Sequence, residues 1–108
     1  MLILFDNGVP APLRHALEGH VVVEAFERGW DRFLNGELIA VAEAAGFEVL
    51  LTTDKNIRYQ QNLKARKIVF VVLGNQQWPT LRRYAEKVVA AINAATPGSY
   101  IEVEIPFE

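Results

Sequence analysis

A chain of 108 residues, 51% apolar, is one domain's worth of sequence with enough hydrophobic material to enclose a core, which excludes an intrinsically disordered tract. Eleven basic against thirteen acidic residues give a formal charge of −2, so no global attraction to nucleic acid is expected. The absence of cysteine excludes disulfides, zinc–thiolate centres and thiol catalysis, and makes a reducing cytosol the natural home. No apolar run reaches the roughly 20 residues of a membrane helix.

The chain opens with Met1-Leu2-Ile3-Leu4-Phe5-Asp6, apolar without a basic leader and meeting a carboxylate at once. That pattern predicts a first strand over residues 2–5, buried on both faces, and not a signal peptide. Asn7-Gly8 is a turn, and residues 10–18 read as a short helix with proline in its first turn. A second strand is expected at residues 20–23, and residues 25–33, with Trp30 and Phe33, show little periodicity. Asn35 looks like the N-cap of a helix running through residue 45, with Leu38, Ile39, Val41, Ala42 and Ala45 on its apolar face and Gly46 as its stop.

Residues 47–52 form the third expected strand, ending in Thr52-Thr53-Asp54, followed by a helix over residues 55–63 and a fourth strand over 68–73. Residues 74–79 read as a loop. Leu81, Tyr84, Ala85, Val88, Val89 and Ile92 then recur at helical spacing, the clearest amphipathic helix in the chain. After Pro97-Gly98, residues 100–105 alternate apolar with glutamate, as in a half-exposed edge strand. The alternation of strand-like and helix-like segments predicts an α/β domain with a mainly parallel four-stranded sheet covered on both faces, plus a C-terminal edge strand.

Asp6 and Asp54 stand at the carboxyl ends of the first and third strands. With strand order 2-1-3-4 the order reverses between those strands, which is where open α/β sheets bind ligands. Two carboxylates side by side repel unless a cation lies between them, which suggests Mg²⁺ or Mn²⁺. Glu37 is the third candidate carboxylate, although a negative charge in the first turn also suits the helix dipole. Asn7, Asn35 and Asn56 lie close to these acids and could orient a water or a phosphate. Five basic residues (Lys55, Arg58, Lys64, Arg66 and Lys67) fall in one stretch that could meet a phosphate backbone, and Tyr59 could stack on a base. Each feature has a plainer reading: Asp54 as a helix cap, Asp6 as a turn residue, the basic stretch as a solvated face. His15 and His20 do not have metal-ligand spacing, and no phosphate loop, nucleophile triad or zinc motif is present.

Leu4-Phe5-Asp6, Asn35-Gly36-Glu37-Leu38 and Leu51-Thr52-Thr53-Asp54-Lys55-Asn56 resemble the PIN-like family of small bacterial proteins, which are similar to VapC-type toxins. The resemblance spans residues 1–73. It implies a three-layer α/β/α fold and, in active members, cleavage of RNA dependent on Mg²⁺ or Mn²⁺. Asp6 matches the first-strand aspartate, Asp54 the aspartate of the threonine-containing motif, and Glu37 the acid of the central helix. Asn56, Asn35 and Asn7 stand where related chains often carry further carboxylates, which removes negative charge from the metal cage. The expected function is therefore a toxin-like metal-dependent ribonuclease, with Lys55, Arg58 and Lys64 on the RNA backbone, or a catalytically degenerate binding module. The partners this implies are RNA, an antitoxin-like protein, or a second copy of the chain meeting through Trp30, Phe33 and Trp78. A receiver-like signalling domain ranks behind both, because Asn7 replaces its second acid and no lysine follows Lys87.

Overall fold

The computed structural model describes residues 1–57 and 66–107, apart from the side chain of Asn35. The chain is α/β, as expected. Its five strands, β1 (Leu2–Phe5), β2 (Val21–Glu24), β3 (Val49–Thr52), β4 (Val69–Leu73) and β5 (Tyr100–Val103), form a single sheet. Their order is β2-β1-β3-β4-β5 and every pairing is parallel. A four-stranded sheet with a C-terminal edge strand was expected; the sheet has five strands, and the last lies at its edge, parallel to β4, with Phe70 opposite Tyr100 and Leu73 opposite Val103.

The continuous apolar runs have the physical cause expected of central parallel strands, which are covered on both faces. Along β1, β3 and β4, alternate side chains enter two separate cores. Ile3, Phe5, Val49, Leu51, Val71 and Leu73 pack on one face with Leu13, Leu81, Val88 and Ile92. Leu4, Leu50, Phe70 and Val72 pack on the other with Leu38, Ile39, Ala42, Phe47 and Ile57. Full burial of each such aliphatic side chain contributes roughly 1.5–3 kcal/mol.

The segment expected as a helix over residues 10–18 is a 3₁₀ helix, Ala11–Ala16. Its first bond runs from the Leu13 N–H to Pro10 O at 3.1 Å, three residues back as a 3₁₀ turn requires, and the prolines at its start remove no donor that either helix form would use. A second 3₁₀ turn, Ala25–Arg28, ends at Gly29, whose φ of 74° is the left-handed conformation that glycine adopts without strain. Helix α1 (Asn35–Ala44) has its cap one residue earlier than expected: Leu34, at φ −74° and ψ 163°, is the extended N-cap residue and Asn35 is the first helical residue. Most of the helix expected at residues 55–63 lies outside the described residues. After β4 the chain turns helical at Trp78, inside the expected loop, through α2 (Trp78–Leu81), a 3₁₀ turn Arg82–Tyr84 and α3 (Ala85–Ala94). Val88 and Ile92, four apart and both fully buried, anchor α3 to the sheet. No helix among the described residues is long and apolar enough to cross a membrane.

The β1–β2 and β2–β3 connections step across the sheet in opposite directions and lie on opposite faces, which gives them the same hand. The β4–β5 connection steps in the direction of β2–β3, yet its helices lie on the other face, so its hand is reversed. This departs from the strong preference for a single crossover hand, and it sets α3 against the Ala11–Ala16 segment.

At the β2 edge, Val21 directs its N–H to Met1 O, just ahead of β1, so the backbone of Val22 faces outward. Arg14 covers that position, donating from Nη2 to Val22 O at 2.7 Å. Glu24 and Glu27 hold its guanidinium at 3.7 and 3.5 Å.

Candidate functional site at the β1–β3 switch point

The chain leaves β1 towards β2 and leaves β3 towards β4, so the crevice at the carboxyl ends of β1 and β3 is the switch point of the sheet. Phe5 pairs with Leu51, and Asp6 prolongs that ladder by donating its N–H to Leu51 O at 2.9 Å. Thr52, the next residue of β3, is completely buried. Its Oγ1 donates to Asp6 Oδ2 at 2.8 Å and accepts the Asp54 N–H at 3.1 Å. One hydroxyl therefore joins the Asp6 carboxylate to the backbone of Asp54, and both aspartates are half-buried.

The plainer roles coexist with this seam. Asp6 Oδ1 accepts the Asn7 N–H at 2.8 Å, and Asp6 O accepts the Val9 N–H at 3.0 Å to close the turn. Asp54 Oδ1 accepts the Asn56 N–H at 2.9 Å in the manner of a helix cap. Each ionised carboxylate has about four lone-pair positions, so these bonds leave Asp6 with acceptor capacity towards the crevice.

The remaining candidates are distributed as follows. Asn7 donates from Nδ2 to Asp31 O at 2.7 Å, tying the loop after β1 to the loop before α1. Asn56 and Lys55 are exposed, and Lys55 Nζ sits 5.4 Å from the ring centroid of Phe107. Glu37 is exposed, and its Oε1 accepts the Leu34 N–H at 3.4 Å, closing the start of α1. Among the described residues no group of three or more His, Asp or Glu side chains gathers in an arrangement that could hold a metal. Asn35 opens α1, while Arg58, Tyr59 and Lys64 lie outside the described residues. Of the aromatic residues considered for an interface, Trp30 packs edge-on against Phe47 at 5.9 Å and Trp78 packs on the core, while Phe33 is exposed.

Sequence reasoning passes over Thr52 as a functional side chain. Its signal is a single hydroxyl ending the wholly buried run Val49–Thr52, where a polar atom has to find a partner. Gly8 shows in the sequence only as a turn residue. It lies so close to β3 that a Cβ there would collide with Thr53 Oγ1 and stand 3.2 Å from Gln76 Oε1. The loops after β1, β3 and β4 thus meet at one point. No family model, curated protein or solved structure matches the chain.

Proposed function

We propose that this chain is a PIN-like, metal-dependent ribonuclease of the toxin-like class, acting at the β1–β3 seam. The observation that carries the reading is the shared Thr52 hydroxyl, which ties Asp6 to the Asp54 turn at the switch point. Mg²⁺ is commonly held by one or two carboxylates together with substrate phosphates and several waters. Asp6 and Asp54 fit that donor set, with Asp6 keeping acceptor capacity beyond its two bonds. The chemistry such an ion supplies is Lewis-acid stabilisation of the phosphate and activation of a water.

The residues of the chain do the rest. Thr52 fixes the rotamer of Asp6, so its oxygens need not reorganise when substrate arrives. Lys55, exposed directly after Asp54, offers its ammonium to the RNA backbone, and the Asn7–Asp31 bond holds the rim of the crevice. The test is the rate at which purified protein with Mn²⁺ cleaves several RNAs, compared with the Asp6→Asn, Asp54→Asn double variant. Cleavage that disappears in the double variant is the expected result. Equal rates for the two proteins overturn the reading.

A catalytically degenerate binding module, engaging RNA or an antitoxin-like partner, is the second reading. It draws on the Glu37 bond to Leu34 and on amides at positions 7, 35 and 56. It predicts no thermal shift with millimolar Mn²⁺; a clear upward shift would count against it.

A further inference from the structure

At the carboxyl ends of β4 and β5 the structure holds a hollow of 620 Å³, and a smaller one of 230 Å³ adjoins the end of β3. Lys55, Gly74 and Phe107 line both. Phe107 is 75% exposed, so most of its ring is free to solvent. Its position is nonetheless specified. Asn75, buried, donates from Nδ2 to Pro106 O at 3.0 Å and accepts the Gln77 N–H at 2.9 Å. Gly74 lets the backbone of Ile105 approach so closely that a Cβ would stand 3.0 Å from its nitrogen. The C-terminal segment is therefore pinned over the end of β4, which presents the Phe107 ring beneath the Lys55 ammonium.

The lining of the larger hollow repeats this pairing, with Lys87 Nζ 5.8 Å from the centroid of the half-buried Tyr84 ring. Lys87 is fixed by donating to Glu104 O at 2.9 Å. Two glutamates also border the hollow; Glu102 accepts the Tyr100 hydroxyl at 3.0 Å, and the contact of Lys87 to residue 104 is through the main chain. Two rings, each with a cation against it, lining one open groove that starts at the residue after Asp54, are the parts used by proteins that hold single-stranded nucleic acid. Bases stack on the rings and phosphates meet the cations.

We infer that the groove between Lys55–Phe107 and Lys87–Tyr84 is a binding track for single-stranded RNA, guiding the strand to the Asp6–Asp54 seam. The inference deepens the ribonuclease reading and rests on it for the direction of the strand, but binding is measured without cleavage. Two lysines displacing counterions from two phosphates give a log K against log salt slope of about −1.4 for a single strand. An end-labelled oligoribonucleotide in EDTA, followed by fluorescence anisotropy against a duplex of equal length, provides the assay.

The expected result is preference for the single strand. Phe107→Ala should weaken binding roughly 5- to 150-fold, the range for losing one stacked base. Phe107→Trp should retain affinity, and Lys87→Gln should flatten the salt slope by about 0.7. Phe26→Ala, exposed beside the opposite edge of the sheet, serves as the control and should bind as the parent does. The inference is overturned if Phe107→Ala and Lys87→Gln bind like the parent, if the duplex binds equally well, or if sedimentation shows a dimer that Phe107→Ala dissociates, since a second copy then fills the groove. Binding that depends on Phe107 in a protein that cleaves nothing leaves the track standing and removes the nuclease. Cleavage that needs both aspartates but ignores Phe107 does the reverse.

Discussion

Replacing Thr52 by valine keeps the shape of the side chain and deletes the hydroxyl that joins the two aspartates. In the parent that hydroxyl donates to a carboxylate at 2.8 Å and accepts a backbone N–H at 3.1 Å, from a residue with no exposed surface. A hydrogen bond to a charged group contributes about 1.5–3 kcal/mol, and an orphaned buried donor costs a further 1–3 kcal/mol or so. Because Asp6 and Asp54 are half-buried, water takes over part of both roles, and the expected loss is about 2 kcal/mol. For a domain of this size that lowers Tm by about 8 °C. Thr52→Ser keeps the hydroxyl and loses one buried methyl, about 0.8 kcal/mol. Urea denaturation followed by circular dichroism should rank the parent first, Thr52→Ser second and Thr52→Val last in stability. In an Asp6→Ala background the loss caused by Thr52→Val should shrink by about 1 kcal/mol or more, because the charged partner is gone. A valine variant as stable as the parent, or a loss unchanged in that background, would refute the assignment of the hydroxyl as the link.

Three further outcomes follow from the geometry. Gly8→Ala forces a methyl onto Thr53 Oγ1 and should destabilise by about 1–3 kcal/mol, with Thr53→Ala in the same chain restoring most of the loss; thermal melts of the three proteins decide it. Glu37→Gln should cost well under 1 kcal/mol, since it weakens only a 3.4 Å bond at the start of α1 and a favourable dipole contact. A collapse of Mn²⁺-dependent cleavage without loss of stability in that variant would instead place Glu37 at the reacting phosphate. Arg14→Ala removes the guanidinium from Val22 O and leaves an edge of three valines uncovered, so concentration-dependent association in sedimentation velocity is expected; an unchanged monomer would show that the edge is protected by other means.

The strands are legible in the sequence because central parallel strands need apolar residues on both faces, and runs such as Val69–Leu73 satisfy that need without interruption. The first helix is legible only as helical, because proline in the first turn suits a 3₁₀ and an α-helix alike. The cap of α1 falls at Leu34 because capping depends on backbone conformation, which there is extended despite an apolar side chain. Asp6 and Asp54 are legible as strand-end acids, but the link between them is not: it depends on β1 and β3 being neighbours at a given register, and only the register puts Thr52 beside Asp6. The groove is hidden for a different reason. Lys55 and Phe107 are far in sequence from each other and from the Tyr84–Lys87 pair, and the reversed hand of the β4–β5 connection sets α3 on the face that the usual handedness would not choose.

The bond between Thr52 and Asp6 spans 46 positions of chain, and no shorter loop or hairpin brings those residues near one another. An incompletely folded chain thus carries two solitary acids with no shared neighbour, and only closure of the central ladder creates the seam. The seam therefore belongs to the paired ladder and to neither strand alone, so partial denaturation that separates β1 from β3 dissolves it.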